Sequence, residues 1–404
     1  MEIKEKIYIL KLNYALNYSN TDWVISLLEK YKKPSFLFEN NGNLVIEAEL
    51  LIERFNKFME MAKKFDSEKE IEECRRRGID IITYFDENYP QALKNIPNPP
   101  LVLYAIGKIE DMPSISIVGT RHPTDYGAKN ASIISYDISR IGIRVVSGLA
   151  RGVDTIAHKS AIKAKGVTVA VIGSGLDKIY PPENAELSRD IVRNGGAVIT
   201  EYPLLSKPLK TNFPRRNRII SALSFATLVI EGDYNSGALI TARYAIEQGR
   251  DVMALPGRVD SRFSNGPNSL IKEGAYLVRN AKDIIELIPS SELFGVDIKK
   301  LFESEKKEMT DQSLLAIQEE FESGKYEKVL TAIDQYKSSL ETNSRAKMYQ
   351  MKAESLEQIA YILTRKLPKT NRSAYVKSSL AKYSAYDIGF ANGKFSYFGA
   401  DYKR

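Results

Sequence analysis

The stretch S-I-S-I-V-G-T-R at residues 114–121 decides the fold, because a short apolar run, 115–118, ends there at Gly119. The same pattern recurs, with amphipathic segments between most of the runs, at residues 144–146, 167–172, 197–200, 227–230 and 251–255. Runs that are apolar on both faces and alternate with helices are typical of a parallel sheet covered on both sides. With right-handed crossovers, this pattern predicts an α/β fold with a Rossmann-like, doubly wound and mostly parallel sheet.

The segments between the runs predict the helices of this domain. Amphipathic spacing indicates helices at residues 126–141, 152–165, 184–194 and 237–248. Residues 276–278 are expected to add an edge strand and residues 283–288 a closing helix.

Composition changes on both sides of this domain. Apolar residues at helical spacing predict an N-terminal helical domain over residues 1–85. A proline-rich connector follows and ends in a predicted strand at 101–104, so the Rossmann-like domain is assigned to residues 86–289. Residues 290–404 form a C-terminal region that is predicted to be mainly helical.

The C-terminal region leaves two interpretations open. Residues 321–336 weakly resemble one tetratricopeptide-type unit, but no second copy follows at the expected period, which favours a simple helical hairpin. The last 44 residues, 361–404, hold nine Lys/Arg against two Asp, together with nine aromatic residues. That composition fits either a nucleic-acid-binding tail or a small cap with an aromatic core.

Composition also bounds the class of protein. A net charge of +7 permits a polyanionic partner without proving one. Cys74 is the only cysteine, which excludes an intramolecular disulfide and a cysteine-based zinc site and indicates a reducing compartment. The sequence contains neither a signal-peptide pattern nor 18 consecutive uncharged apolar residues, so we expect a cytoplasmic protein with no membrane partner.

A basic run, K-P-L-K-T-N-F-P-R-R-N-R at residues 207–218, is the strongest functional signal. It places Phe213 among five cations, Lys207, Lys210, Arg215, Arg216 and Arg218, and no acidic residue occurs between Glu201 and Glu231. Cations that neutralise phosphates beside a ring that stacks on a base are the components of a single-stranded nucleic-acid site. The alternative is a solvated basic loop.

Small residues follow the carboxyl ends of the predicted strands, where open α/β sheets bind ligands. Arg121 follows the first strand, and the glycine-containing loops lie at residues 147–154, 173–184 and 231–242. Together they indicate an anion-binding edge, although glycines are also needed simply to make tight turns.

Enzyme patterns are weaker. The G-S-G at 173–175 begins like a dinucleotide fingerprint, but Lys178 replaces its third glycine, and the chain has no P-loop and no G-x-S-x-G elbow. The two histidines, His122 and His158, belong to no metal-ligand motif. We therefore expect no catalytic residues, metal or cofactor. The rival hypothesis is an enzyme that acts on a nucleotide and uses Asp154, Asp177 or Glu231 as an acid or base.

Longer motifs identify a family resemblance. The motifs are S-I-V-G-T-R (116–121), S-G-L-A-R-G-V-D-T-I-A-H (147–158), G-S-G-L-D-K-I-Y-P-P-E-N (173–184), F-P-R-R-N-R-I-I-S-A-L-S (213–224) and E-G-D-Y-N-S-G-A-L-I-T-A-R-Y-A (231–245). In this order they closely resemble the bacterial DNA-processing protein A family, also called Smf, over about residues 80–288. The C-terminal region departs from the short winged-helix domain that is common in that family.

The resemblance implies a non-catalytic, homodimeric protein that binds single-stranded DNA, protects it, and loads the recombinase RecA during natural transformation. It implies phosphate binding and base stacking by Arg121, Lys210 and Phe213, and backbone or hydroxyl contacts by Ser147 and Gly148. Contacts at the rim of the site are implied for Arg215, Arg218, Asn235, Ser236 and Gly237. A further alternative is that residues 290–404 form a separate protein-interaction module, with DNA binding secondary.

Overall fold

The computed structural model describes residues 3–16, 21–39, 49–288, 296–298, 388–391 and 394–397. The chain divides into two compact units, Met1–Ile298 and Lys299–Arg404. The predicted helical hairpin and most of the basic aromatic tail lie outside the described residues. The assignment of domains to 1–85, 86–289 and 290–404 stays a prediction.

Nine strands form one mixed sheet in the described part of the first unit. They are β1 (Asp80–Thr83), β2 (Val102–Gly107), β3 (Ser114–Val118), β4 (Arg144–Ser147), β5 (Thr168–Val171), β6 (Ala197–Thr200), β7 (Ala226–Val229), β8 (Asp251–Ala254) and β9 (Tyr276–Leu277). Their order is β1-β2-β6-β5-β4-β3-β7-β8-β9. The strands from β6 to β9 in this order are parallel, whereas β1 and β2 pair antiparallel at one edge. The predicted α/β, Rossmann-like fold is confirmed.

Helices alternate with the parallel strands. The N-terminal helices are α1 (Ile3–Leu16), α2 (Asp22–Tyr31), α3 (Phe36–Glu39), α4 (Glu49–Lys63) and α5 (Ser67–Arg76). The helices of the sheet region are α6 (Gln91–Lys94), α7 (Asp125–Arg140), α8 (Val153–Lys163), α9 (Ala185–Arg193), α10 (Asn212–Ala222), α11 (Gly237–Glu247), α12 (Asn265–Lys272) and α13 (Ala281–Leu287). Short 3₁₀ turns at Pro182–Asn184 and Arg262–Ser264 precede α9 and α12.

The parallel strands are apolar on both faces because both faces are covered. Alternate residues of β5 belong to opposite cores: Val169 and Val171 pack into one cluster, and Ala170 packs into the other. This period of two is the geometry of a strand buried on both sides. It explains why short apolar runs were sufficient to locate the sheet.

The N-terminal helices share a core with the sheet. Ile9 and Leu10 of α1 pack in the same cluster as Val102 and Tyr104 of β2. The range 1–85 was predicted as helical, but its last element, β1, is a strand that pairs with β2. The reason is tertiary: the pairing adds β1 to the edge of the sheet and buries Ile82.

In the second unit, the described residues form an antiparallel pair, β10 (Ile388–Ala391) and β11 (Lys394–Tyr397). The pair brings Phe390 opposite Phe395. These strands lie in the region that was predicted to be mainly helical. None of the helices within the described ranges combines the length and apolar composition that crossing a bilayer requires.

His158 is buried in the first unit without a charged partner. Thr168 Oγ1 donates to Val145 O at 2.7 Å, so the His158 Nδ1–H donates to that hydroxyl, also at 2.7 Å. Nε2 has no hydrogen-bond partner among the described residues. Burial, assisted by the nearby Arg216 charge, lowers the pKa of His158 from 6.5 to about 3. The ring is therefore neutral in the folded protein.

This burial predicts an acid-sensitive fold. Below pH 6.5 the unfolded chain binds a proton at His158 that the folded protein does not bind, so stability falls as the pH drops toward 3. Between pH 7.5 and pH 5 this linkage should remove about 2 kcal/mol from the free energy of unfolding. Urea unfolding of the wild type and of His158→Gln at both pH values measures it.

The substitution should abolish this part of the pH dependence, whereas the control His122→Gln, at an exposed histidine, should retain it. Equal losses in the wild type and His158→Gln would show that other groups are responsible.

Candidate nucleic-acid interface

A cleft of about 660 Å³ opens at the carboxyl ends of the parallel strands. It lies where the strand order reverses, since β4 and β7 flank β3 on opposite sides. This switch point is where open α/β sheets bind ligands. The lining includes five predicted site residues, Arg121, Lys210, Phe213, Ser236 and Gly237.

Phe213 lies in the first turn of α10, at the wall of the cleft. Its ring packs over Gly173, where an added Cβ would lie 3.2 Å from the ring. Tyr180 meets it with ring centroids 5.6 Å apart and an angle of 47°. The guanidinium carbon of Arg121 is 5.9 Å from the Phe213 ring centroid, within the range of a cation–π contact. The structure thus brings together a predicted cation and the predicted stacking ring.

Lys210 is exposed at the end of the loop between β6 and α10. The loop is anchored by Asn212, whose Nδ2 donates to Gly173 O at 3.0 Å. Farther back, Leu205 N donates to Asp177 Oδ1 at 2.8 Å. These contacts fix the loop against the sheet edge, and Lys210 lines the cleft from this loop.

Arg121 reaches the cleft because the neighbouring loop can approach closely. Gly152 has φ +74°, a conformation that favours glycine. An added Cβ there would overlap the carbonyl oxygens of Thr120 and Arg121. Val153 N donates to Thr120 O at 3.2 Å, which joins the two loops. The first glycine-containing loop therefore positions Arg121 as well as making a turn.

Arg216 belongs to the basic run but lies buried beneath the cleft. It is 4% exposed, and its Nη1 donates to Val171 O. Burial lowers the pKa of Arg216 to about 10, although the nearby Asp154 carboxylate opposes the change. Burial likewise raises the pKa of Asp154, whose Oδ2 accepts from the backbone N–H groups of Gly148 and Ala150. Arg216 and Asp154 both line the cleft, so these two buried groups form part of its floor.

Arg218 is implied by the family resemblance to be a rim contact, and that role stays a prediction. It is buried, and its Nη1 and Nη2 donate to the two Glu201 oxygens at 2.7 Å each. Burial alone would lower the pKa of Arg218, but the paired carboxylate raises it above its usual value. The linear sequence suggested that nothing neutralised this charge because Glu201 lies on the other side of the loop.

Ser147 is implied to make a backbone or hydroxyl contact, and that role also stays a prediction. It is fully buried at the end of β4, and its Oγ donates to Ile117 O at 2.7 Å. Gly148 supports the site from below, since an added Cβ would overlap the Arg216 guanidinium. The described lining of the cleft does not include Arg215 or Asn235, which are both exposed.

Sequence reasoning did not single out Tyr180, and it counted Arg216 among the cations of the basic run without predicting that it is buried. Tyr180 belongs to the quoted motif at 173–184, so its position after a strand end was the available signal. It also takes part in a hydrogen bond with Arg151, which is paired with Glu183. No sequence signal distinguished buried Arg216 from the exposed Arg215 beside it.

The carboxylates of the rival enzyme hypothesis have structural partners. Glu231 accepts from Thr124 Oγ1 at 2.6 Å and from Thr124 N at 2.9 Å. Asp177 holds the loop at Leu205, and Asp154 accepts from two backbone N–H groups. Within the described residues, no three His, Cys, Asp or Glu side chains gather as a group that could hold a metal.

The fold defines a Rossmann-like protein with a cleft lined by cationic and aromatic residues at the switch point of its sheet. Residues 80–289 match the family described as DNA recombination-mediator protein A. That match covers more than half of the chain, so the chain belongs to this family.

Comparison with individual proteins agrees. The chain is 43% identical to the DNA processing protein DprA of Bacillus subtilis over 218 residues, covering 53% of this chain and 73% of the relative. It is 43% identical to protein Smf of Synechocystis over 221 residues, 53% of this chain but only 55% of that relative. The X-ray structure of DNA processing protein A from Streptococcus pneumoniae superposes with a TM-score of 0.62 at 32% identity, covering 70% of this chain and 98% of that one.

The contact between Gly148 and Arg216 predicts that Gly148→Ala destabilises the protein. The new methyl group would force the guanidinium away from Val171 O and from the compensating Asp154 charge. Overpacking of this kind costs about 1–3 kcal/mol, so thermal unfolding should occur at a lower temperature.

The matched control is Gly237→Ala, at which an added Cβ meets nothing within 4 Å and which lies at the start of a helix. It should leave the midpoint unchanged or slightly higher. Equal midpoints for Gly148→Ala and the wild type would mean that Arg216 moves without cost.

Proposed function

We propose that this chain binds single-stranded DNA at the cleft and does so without catalysing a reaction. The observation that carries the proposal is that Arg121, Lys210 and the partly buried ring of Phe213 line one cleft, with Arg121 in cation–π range of the ring. Membership of the DNA recombination-mediator family and the 43% identity to a DNA processing protein support it.

The cationic and the aromatic side chains contribute to binding in different ways. Arg121 and Lys210 neutralise backbone phosphates, which makes affinity fall as salt concentration rises. Phe213 offers a face on which an unpaired base stacks, a contact that tolerates any sequence. Bases in a duplex are already stacked on their neighbours, so this arrangement favours a single strand.

The positions of the carboxylates favour binding over hydrolysis. A general base must reach a reacting proton. Glu231 is engaged with Thr124 away from the described lining of the cleft, and Asp154 is buried against backbone donors and Arg216. Neither arrangement resembles a base held ready for a substrate.

The proposal extends to partners through the family. We assign to this chain the protection of incoming or exposed single strands, the loading of RecA recombinase onto them, a homodimeric state and a cytoplasmic location. These assignments rest on family membership together with the DNA-binding proposal.

Replacement of the stacking ring tests the site. Base–aromatic stacking is worth about 1–3 kcal/mol, so Phe213→Ala should weaken binding of fluorescent oligo-dT roughly 5- to 150-fold in an anisotropy titration. Phe213→Tyr keeps the ring and should retain most of the affinity.

Tyr234→Ala is the matched control, because Tyr234 is 56% exposed after β7 and outside the described lining of the cleft. It should bind like the wild type. Unchanged affinity in Phe213→Ala would move the site away from the cleft.

RecA loading has its own test. The wild type should raise the rate of ATP hydrolysis by RecA on oligo-dT coated with a single-strand-binding protein, because strand binding precedes loading. Phe213→Ala should fail to do so at the same concentration. Normal stimulation by a variant that no longer binds DNA would separate loading from this cleft.

The homodimeric state has a separate test. Light scattering of the wild type should give about twice the chain mass of 45.5 kDa.

A further inference from the structure

The floor of the cleft contains an open helix N-terminus. Ser236 is the N-cap residue of α11, and no side-chain cap hydrogen bond is formed there within the described chain. The first N–H groups of a helix have no partner inside the helix, and the helix dipole favours an anion at this end. Ser236 and Gly237 both line the cleft, so this end of α11 is presented to a ligand.

Arg216 is an independent observation at the same floor. It is 4% exposed and lines the cleft, and its Nη1 is occupied by Val171 O. Its Nε has no hydrogen-bond partner among the described residues. A buried guanidinium with an unused donor is costly unless an acceptor completes it, and phosphate oxygens match its geometry.

The two features are tied together. Asn217, the next residue of α10, donates through Nδ2 to Gly237 O at 3.2 Å. This hydrogen bond joins α10, which carries Arg216, to the N-terminal end of α11.

The charge of the cleft exceeds what a single phosphodiester carries. In the described lining, the cations Arg121, Lys210 and Arg216 face one carboxylate, Asp154. Asp154 already accepts from two backbone N–H groups. A phosphate monoester carries about −1.5 to −2 at pH 7, against −1 for a diester, and so matches this excess better.

The floor around Arg216 is closely packed. Gly148 packs directly on the Arg216 guanidinium, and Val171 O accepts from its Nη1. Phe213 and Arg121 line the same cleft, so a nucleotide joined to a phosphate at the floor can lie against them.

We propose that the floor of the cleft, formed by Arg216 and the N-terminus of α11, is a subsite for a terminal phosphomonoester. The group is the phosphate at the end of a DNA strand or that of a mononucleotide. This inference rests on the proposed single-stranded DNA binding and adds recognition of strand ends.

The test compares oligo-dT of one length with a 5′-phosphate, a 3′-phosphate or no terminal phosphate, by anisotropy with the full chain. Charge-assisted hydrogen bonds to the extra group should tighten binding about tenfold for one of the phosphorylated forms. Thymidine 5′-monophosphate and thymidine then serve as competitors. If thymidine 5′-monophosphate displaces the labelled strand as effectively as the phosphorylated strand does, the ligand of the subsite is a free nucleotide. If it displaces the labelled strand less effectively, the ligand is the end of a DNA strand.

Ser236→Asp places a carboxylate at the helix end. Asp is a favoured N-cap residue, so the fold should be kept while the phosphate is excluded. The ratio of affinities for phosphorylated and unmodified strands should fall to about one, whereas Ser236→Thr should keep the wild-type ratio.

The outcomes separate the two proposals. Equal wild-type affinities for all three strands, with binding that still depends on Phe213, would overturn the subsite and leave single-stranded DNA binding intact. No binding of any strand would remove both. The comparison of the three strands on the wild type is sufficient to decide whether the subsite exists, so the test does not depend on the folding of any variant.

Discussion

The burial of Arg216 is the constraint on which the rest of the site depends. A guanidinium beneath a ligand cleft must be compensated, and the surrounding positions reflect this requirement. Val171 supplies a carbonyl oxygen, Asp154 supplies the opposing charge, and Gly148 leaves the space. Phe213 precedes Arg216 by three residues on α10, so fixing the arginine also fixes the ring one turn away.

This constraint changes how the basic run is understood. Five cations within residues 207–218 suggested a uniformly charged surface, but two of them are buried. Arg218 is paired with Glu201 in the core, and Arg216 faces Asp154. Lys207, Lys210 and Arg215 are the exposed members. The run therefore contributes both the surface that meets a polyanion and the internal charges that hold α10 in place.

Much of the fold was predictable because its determinants are local. Each parallel strand is a short apolar run, and the predicted bounds agree with β3 to β8 within one or two residues. Helix α10 was not predicted, since Pro214 and successive polar residues conceal its amphipathic pattern. Strand β1 was missed for a different reason: its partner β2 lies about twenty residues away, and only the pairing reveals it.

The site was predictable as a set of residue types but not as an arrangement. Arg121, Lys210 and Phe213 carry recognisable chemistry and do line one cleft. Ser147 and Arg218 are buried against Ile117 and Glu201, which are distant in sequence, so no local pattern could predict their burial. The motif at 173–184 contained Tyr180, but only the packed structure shows that its ring meets Phe213.

The antiparallel edge has a consequence for how the chain can be divided. Helix α1 and strand β2 bury their side chains in one cluster, and β1 covers the outer side of β2. Cutting between the helices and the sheet would leave a hydrophobic face and an unpaired strand edge in water, a combination that promotes aggregation. The N-terminal helices are thus part of the hydrophobic core of the Rossmann-like domain. Evolution or protein engineering could replace them only together with the strands that they cover.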